Sequence, residues 1–209
     1  MLTLLIASNN QHKIEEIKQI FSSYRNLDIN IISIADGENK LGYKLGEPIE
    51  DKETFEENAY IKASYYKKYF KDYLVVADDT GLMVDALNGR PGVHSHRYSE
   101  PNPTSEKNRK KLLDELSGIE NRSASFKTAL CLIDLNNEVH YFTGVTNGLI
   151  MDHEIGANGF GYDSLFYSSI LNKPFAECTM EEKSQVSHRG YAFRCLIDYL
   201  DEYIHENKS

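Results

Sequence analysis

The chain opens on Leu2-Thr3-Leu4-Leu5-Ile6-Ala7, a short and nearly continuous apolar run of the kind that marks a strand buried on both faces. A polar break, Ser8-Asn9-Asn10, follows, and Ile14, Ile17, Ile20 and Phe21 then recur at spacings of three and four. That period predicts a helix directly after the strand. A second strand is predicted over 29–34, and a loop rich in glycine and charge over 36–51. Thr54 and Glu57 carry the S/T-x-x-E signature of a capping box, opening a helix through Ala59, Ala63, Tyr66 and Phe70 that ends near Tyr69. Tyr73-Leu74-Val75-Val76-Ala77 is another buried strand, and Asp78-Asp79-Thr80-Gly81 stands at its end.

In the second half, Asn88-Gly89 and Pro91-Gly92 are turn signals, and 104–116 returns to helical periodicity. Residues 123–134 and 139–145 flank Leu135-Asn136-Asn137-Glu138 as a hairpin of two long strands, expected to form a lobe over about 123–150. Residues 156–161 hold three glycines, Thr179 with Glu182 repeats the capping-box signature, and 187–203 reads as a long amphipathic helix. Strands and helices that alternate first, with a hairpin later, argue for an α/β fold with a mixed sheet.

Composition narrows the function classes. With 209 residues, 41% of them hydrophobic, and with 14 Tyr and 9 Phe, the chain has enough apolar surface for a folded domain. Its formal net charge of −9 repels a phosphate backbone at long range, so sequence-blind nucleic-acid binding is not expected. Cys131, Cys178 and Cys195 are odd in number and form no C-x-x-C pair, which suits a reducing compartment. The first apolar stretch has no basic segment before it and turns polar at Ser8, so neither a signal peptide nor a membrane span is expected. The expected location is the cytoplasm.

Four segments carry candidate chemistry. A polar turn between a buried strand and a helix leaves backbone N–H groups aimed outward, so Ser8 to Lys13 is a potential anion site, with Asn10 as cap and Lys13 as counter-charge. It is no Walker loop, because G-x-x-x-x-G-K-[ST] is missing. The adjacent carboxylates of Asp78 and Asp79 are costly beside an apolar strand unless a cation such as Mg²⁺ meets them, and Glu50 is a further oxygen donor. In Gly159-Phe160-Gly161-Tyr162-Asp163, glycines allow close approach to a flat ligand on which Phe160 stacks while Asp163 accepts hydrogen bonds. Lys183, His188 and Arg189 gather positive charge in an acidic chain. Taken singly, a capped helix, an acidic turn, a tight aromatic turn and a basic surface cluster explain each segment as well.

Taken together and in order, Ala7-Ser8-Asn9-Asn10-Gln11-His12-Lys13, Thr54-Phe55-Glu56-Glu57-Asn58-Ala59, Ala77-Asp78-Asp79-Thr80-Gly81-Leu82, Gly89-Arg90-Pro91-Gly92-Val93, the 159–163 loop and Glu182-Lys183-Ser184-Gln185-Val186-Ser187-His188-Arg189-Gly190 resemble the inosine triphosphate pyrophosphatase family. The resemblance runs from residue 2 to about residue 200. It implies a single domain over 1–209 in which a mixed, strongly twisted sheet is flanked by helices, in two lobes with a central cleft. The implied reaction is Mg²⁺-dependent hydrolysis of dITP, ITP and XTP to the monophosphate and pyrophosphate. By similarity, Ser8, Asn9, Asn10, Gln11, His12, Lys13 and Lys62 face the triphosphate, and Asp79 binds the metal and deprotonates the attacking water. Glu50 stands near the metal, Asp78 supports the site, and Thr80 keeps a hydroxyl where serine is usual. Phe160, Gly161, Tyr162, Asp163, Lys183, His188 and Arg189 choose the base. A homodimer is implied as well.

Two departures stand out. Ser164 replaces the proline that usually follows Gly-Tyr-Asp, and His94 and His96 replace a usual tyrosine and alanine; an i, i+2 histidine pair without a third ligand reads as packing or surface. Two other readings are a pyrophosphatase with a different base preference and a nucleotide sensor without turnover.

Overall fold

A computed structural model of the chain describes residues 1–24 and 26–208. Its elements are β1 (Leu2–Ile6), α1 (Gln11–Ser22), β2 (Ile29–Ser33), α2 (Ile34–Leu41), α3 (Phe55–Lys67), β3 (Leu74–Val84), α4 (Ser105–Glu115), β4 (Ser123–Ile133), β5 (Val139–Ile150), β6 (Phe166–Ser168), β7 (Lys173–Pro174), α5 (Met180–Val186) and α6 (His188–Lys208), with short 3-10 helices at 85–87, 92–97 and 175–177. The strands form one sheet in the order β2-β1-β3-β4-β5-β6-β7. β1 pairs parallel with β2 and β3, whereas β6 pairs antiparallel with β5 and β7, so the sheet is mixed as expected.

Two elements differ from the sequence reading. The segment read as loop from Asp36 contains most of α2, whose Ser33 cap and Asp36 bond each other's backbone reciprocally and whose end is the left-handed Gly42. Gly37 had the look of a loop residue, but a Cβ there would lie 2.6 Å from the Phe70 ring, so this glycine serves close packing inside a helix. β3 is the other case. It runs eleven residues, straight through Asp78-Asp79-Thr80-Gly81, because Leu82 and Val84 beyond them are fully buried; the acidic pair lies inside the strand, not at its end.

The contacts divide the chain into two compact units. The first comprises Met1–Asp79, Ala129–Thr143 and the stretch from Ala192; the second comprises Thr80–Thr128 and Gly144–Tyr191. The hairpin expected over 123–150 is divided between them, its turn and adjoining residues 129–143 belonging to the first.

In the first unit, successive residues of β1 and β3 point to opposite faces and both faces are covered, which is why the sequence runs are almost wholly apolar. Leu4, Ile6, Leu74 and Val76 meet Ile17, Ile20 and Phe21 of α1 and Phe193, Leu196 and Leu200 of α6. Leu5, Ala7, Val75 and Ala77 meet Ala59, Ala63 and Tyr66 of α3. Each large side chain removed from water in this way contributes roughly 1.5–3 kcal/mol. The consequence is that Ser8 follows, and Asp78 lies within, a strand held on both faces. In the second unit, Phe126, Phe166 and Phe175 pack with centroids 4.6 Å (Phe126 to Phe166) and 4.9 Å (Phe166 to Phe175) apart, alongside Leu82, Val84, Tyr162 and Leu165.

Candidate active site

In the first unit the end of β1 becomes a helix start. Ser8 accepts from the Asn10 N–H through its hydroxyl at 3.1 Å, and Asn10 caps α1 by accepting from the Lys13 N–H at 3.3 Å. The N–H groups of a first helical turn point out of the helix end, a direction that favours an anion, and here Asn10 takes that of Lys13. Gln11 and His12 are exposed, and the exposed Asn9 donates to Glu47 at 2.7 Å.

Behind this turn lies a buried charge cluster. The Lys13 ammonium is 3.5 Å from both carboxylate oxygens of Asp78, with side chains only 8% and 2% exposed. Lys62, projecting from α3, is 2.8 Å from Glu50 and donates to the main-chain carbonyl of Asp78 at 3.0 Å. Burial pushes the Asp79 carboxyl up to about 6, against the pull of Lys13 and Lys62, with Glu50 adding to the rise and an Asn58 hydrogen bond opposing it. Burial draws the Lys62 ammonium down, but Asp78 and Glu50 outweigh it and hold Lys62 above its ordinary value.

Three carboxylates therefore face two ammonium groups, leaving one excess negative charge in a desolvated place. The donors offered by Asp79 and Glu50 are carboxylate oxygens alone, and the proton held tightly by Asp79 marks the position a cation would relieve. That chemistry fits a hard divalent ion such as Mg²⁺. The histidines do not extend this set: His94 and His96 are exposed, as read from sequence. A separate trio, Asp134, Glu138 and His140, brings ligand atoms within 4.8 Å, but Asp134 there accepts from the Asn136 and Glu138 N–H groups and from His140, closing the β4–β5 turn.

Asn58 is a site residue that the sequence reading quoted but gave no role. It is 2% exposed, exchanges hydrogen bonds with the Lys52 backbone, and bonds the Asp79 carboxylate. Its place one turn into a helix capped by Thr54 is the signal that could have found it. The cap itself differs in detail from the reading: Thr54 accepts from the Glu57 N–H, while the Glu57 carboxylate takes the Thr54 hydroxyl.

The second unit assembles the aromatic loop and the basic cluster. Asp163, 4% exposed, accepts from the Phe160 N–H at 3.0 Å and from the Lys183 ammonium at 2.7 Å, so its carboxylate closes the loop. Gly159 sits at φ +74, and a Cβ there would lie 2.2 Å from that carboxylate, which leaves glycine as the residue that fits. Lys183 stands 5.0 Å and Arg189 5.9 Å from the Phe160 ring centre, charging the aromatic platform from nearby. The Tyr162 ring is buried and its hydroxyl donates to the Ser95 carbonyl at 2.7 Å, so it anchors the loop from inside. Gly161 sits at φ +60, its carbonyl accepting from Arg109 at 2.9 Å.

Arg189, 1% exposed, donates to the Thr80 hydroxyl at 3.1 Å, and Thr80 exchanges a further hydrogen bond with Thr128 at 2.9 Å. Thr80 is the covalent neighbour of Asp79, so the arginine steadies the residue next to that acid. His188 stacks on Phe126 at 4.7 Å between centroids. Thr128 and Arg109 were not legible as site residues, since neither lies in a motif.

Comparison with known proteins places the chain in a family. The Ham1 family model matches residues 4–199. A dITP/XTP pyrophosphatase of Thermoanaerobacter sp. (strain X514) is 45% identical over 98% of this chain and 100% of its own length. The Staphylococcus aureus Ham1 protein, at 38% identity, superposes with a TM-score of 0.82 over 96% of this chain and 99% of its own. A HAM1 protein from Coxiella burnetii, at 34% identity, gives 0.84 over 97% and 100%. With a family model spanning most of its length and relatives at this identity, the chain belongs to the Ham1 family.

Proposed function

We propose that this chain hydrolyses deaminated purine nucleoside triphosphates (dITP, ITP and XTP) to the monophosphate and pyrophosphate, clearing them from the nucleotide pool. The observation that carries this reading is Asp79, partly buried on β3 beside Lys13 and Lys62 with its carboxyl held up to about 6, poised to exchange a proton near neutrality. The dITP/XTP pyrophosphatases among its relatives support the substrate class.

In this reading the start of α1, with Lys13 and Lys62, takes the triphosphate, and Asp79 accepts the proton of a water whose oxygen bonds to the α-phosphorus. The bond to the bridging oxygen breaks, and pyrophosphate leaves. Asp79 and Glu50 would hold Mg²⁺, which supplies neutralisation of the phosphate oxygens and of the leaving group. Phosphoryl chemistry of this kind rests mainly on positioning and electrostatics, which is what a rigid strand flanked by two lysines provides. Phe160, with Lys183 and Arg189 beside it, would serve as the stacking platform for a purine ring. Donors aimed at a 6-keto oxygen reject adenine, whose amino group would meet donor with donor.

We further read the chain as a cytoplasmic homodimer. Tyr141, Val145 and Leu149 of β5 are 49%, 43% and 44% exposed and alternate with exposed Thr143 and Asn147, a mixed face that supports self-association, and all three cysteines are free. Among the described residues no helix is long and apolar enough to cross a membrane. Pyrophosphate release across inosine, xanthosine, adenosine, guanosine and thymidine triphosphates, with and without Mg²⁺, tests the reading. Preference for another base supports the related-pyrophosphatase alternative, and binding without release supports the sensor.

A further inference from the structure

The 159–164 loop has a weakness that its own sequence does not cure. Gly159 and Gly161 both adopt positive φ, and glycine surrenders more backbone freedom on ordering than any other residue. Asp163 ties the loop on one side, through the Phe160 N–H and Lys183. On the other side stands a chain of polar contacts that no step of the proposed reaction uses. Arg109 of α4 donates to the Gly161 carbonyl at 2.9 Å, and its Nε lies 2.6 Å from Glu154 Oε1. That same oxygen accepts from the Ser164 hydroxyl at 2.6 Å, and the Ser164 carbonyl accepts from the Ile155 N–H at 2.9 Å.

We propose that Arg109, Glu154 and Ser164 form a polar clamp that fixes the Gly161 peptide, making them positioning residues for base selection. The proposal rests on the base-binding reading of this loop. Its physical content is direction: a planar trans peptide whose carbonyl is aimed at Arg109 has the Tyr162 N–H aimed the opposite way. Glu154 draws the guanidinium to its side as an ion pair, without a hydrogen bond to Nε, while NH1 reaches Gly161 and Ser164 holds Glu154 in turn. A guanidinium suits the task because it presents several donors in one fixed plane. The Arg109 and Glu154 side chains are 19% and 44% exposed. With its glutamate this exposed, the ion pair adds little to stability, so the contacts act on the loop's conformation more than on the fold.

The test is a double-mutant cycle, Arg109→Ala, Glu154→Ala and the pair, with Glu154→Gln as the conservative variant. It reads kcat and KM for ITP, GTP and ATP, together with the melting temperature. Each alanine variant is expected to lose about tenfold in selectivity for ITP over GTP and ATP, mainly through KM for ITP. The pair should lose no more than either single variant, because they act as one unit. Glu154→Gln, which keeps an acceptor, should restore most of the selectivity. Equal losses for all three nucleotides, or unchanged selectivity in folded variants, would overturn the clamp. If instead the wild-type chain shows no preference for ITP, the base-binding reading itself fails, independently of the clamp.

Discussion

The Lys62 ammonium lies 2.8 Å from the Glu50 carboxylate while donating to the main chain of Asp78 at 3.0 Å. One lysine thus ties a loop glutamate to the strand that carries the candidate base. Both acids raise its affinity for the proton, which keeps it charged in spite of burial. Removing that charge should therefore be felt at Asp79 as well as at the phosphates.

Lys62→Met deletes an ammonium that opposes the rise in the Asp79 acid. The expected result is a fall in kcat/KM of at least about tenfold, or ~1.4 kcal/mol of lost transition-state stabilisation. The acid limb of the pH–rate profile should shift to higher pH, a displacement that a loss of substrate affinity alone does not produce. A full pH profile on both proteins measures it.

Asp79 also links stability to pH. Its folded value of about 6 is above the roughly 3.9 of an unfolded aspartate, so the folded chain holds the proton more tightly. The stabilisation is fully present below the unfolded value and is lost as pH rises through about 6. In the absence of divalent cations, Asp79→Asn should be more stable than wild type at pH 8 by on the order of 2 kcal/mol, with the difference vanishing near pH 3. Mg²⁺ should raise the wild-type melting temperature more at pH 8 than at pH 5, because proton and cation compete for one carboxylate. Calorimetric melts at the three pH values decide it.

Gly159→Ala places a methyl group against Asp163 at a backbone angle that L-residues rarely adopt. The loop must shift, at a cost of about 1–3 kcal/mol, and Asp163 must yield Lys183 or the Phe160 N–H. Expected are a raised KM for ITP, a lowered melting temperature and faster amide exchange at 160–163, read by hydrogen-exchange mass spectrometry.

How much of this was visible beforehand follows from range. Strands such as Leu2–Ile6 and the caps Asn10, Thr54 and Thr179 announce themselves within a few residues, because burial period and side-chain to backbone bonds are local. The ordered blocks around Lys13, Asp79 and Lys183 were legible as a family resemblance. The helix α2 was hidden because Gly37 answers to Phe70, thirty-three residues away. β3 was cut short because two carboxylates look like a strand's end until Leu82 and Val84 are seen buried beyond them. Asn58, Arg109, Glu154 and Thr128 matter through partners distant in sequence, and no local pattern names those partners.

In the proposed mechanism Asp79 activates the water that splits the triphosphate. The most direct test is pyrophosphate release from ITP with Mg²⁺, compared between wild type and a folded Asp79→Asn chain. Expected are pyrophosphate and no orthophosphate from wild type, and a rate at least about 10²-fold lower from the variant. Undiminished pyrophosphate release by Asp79→Asn would contradict it.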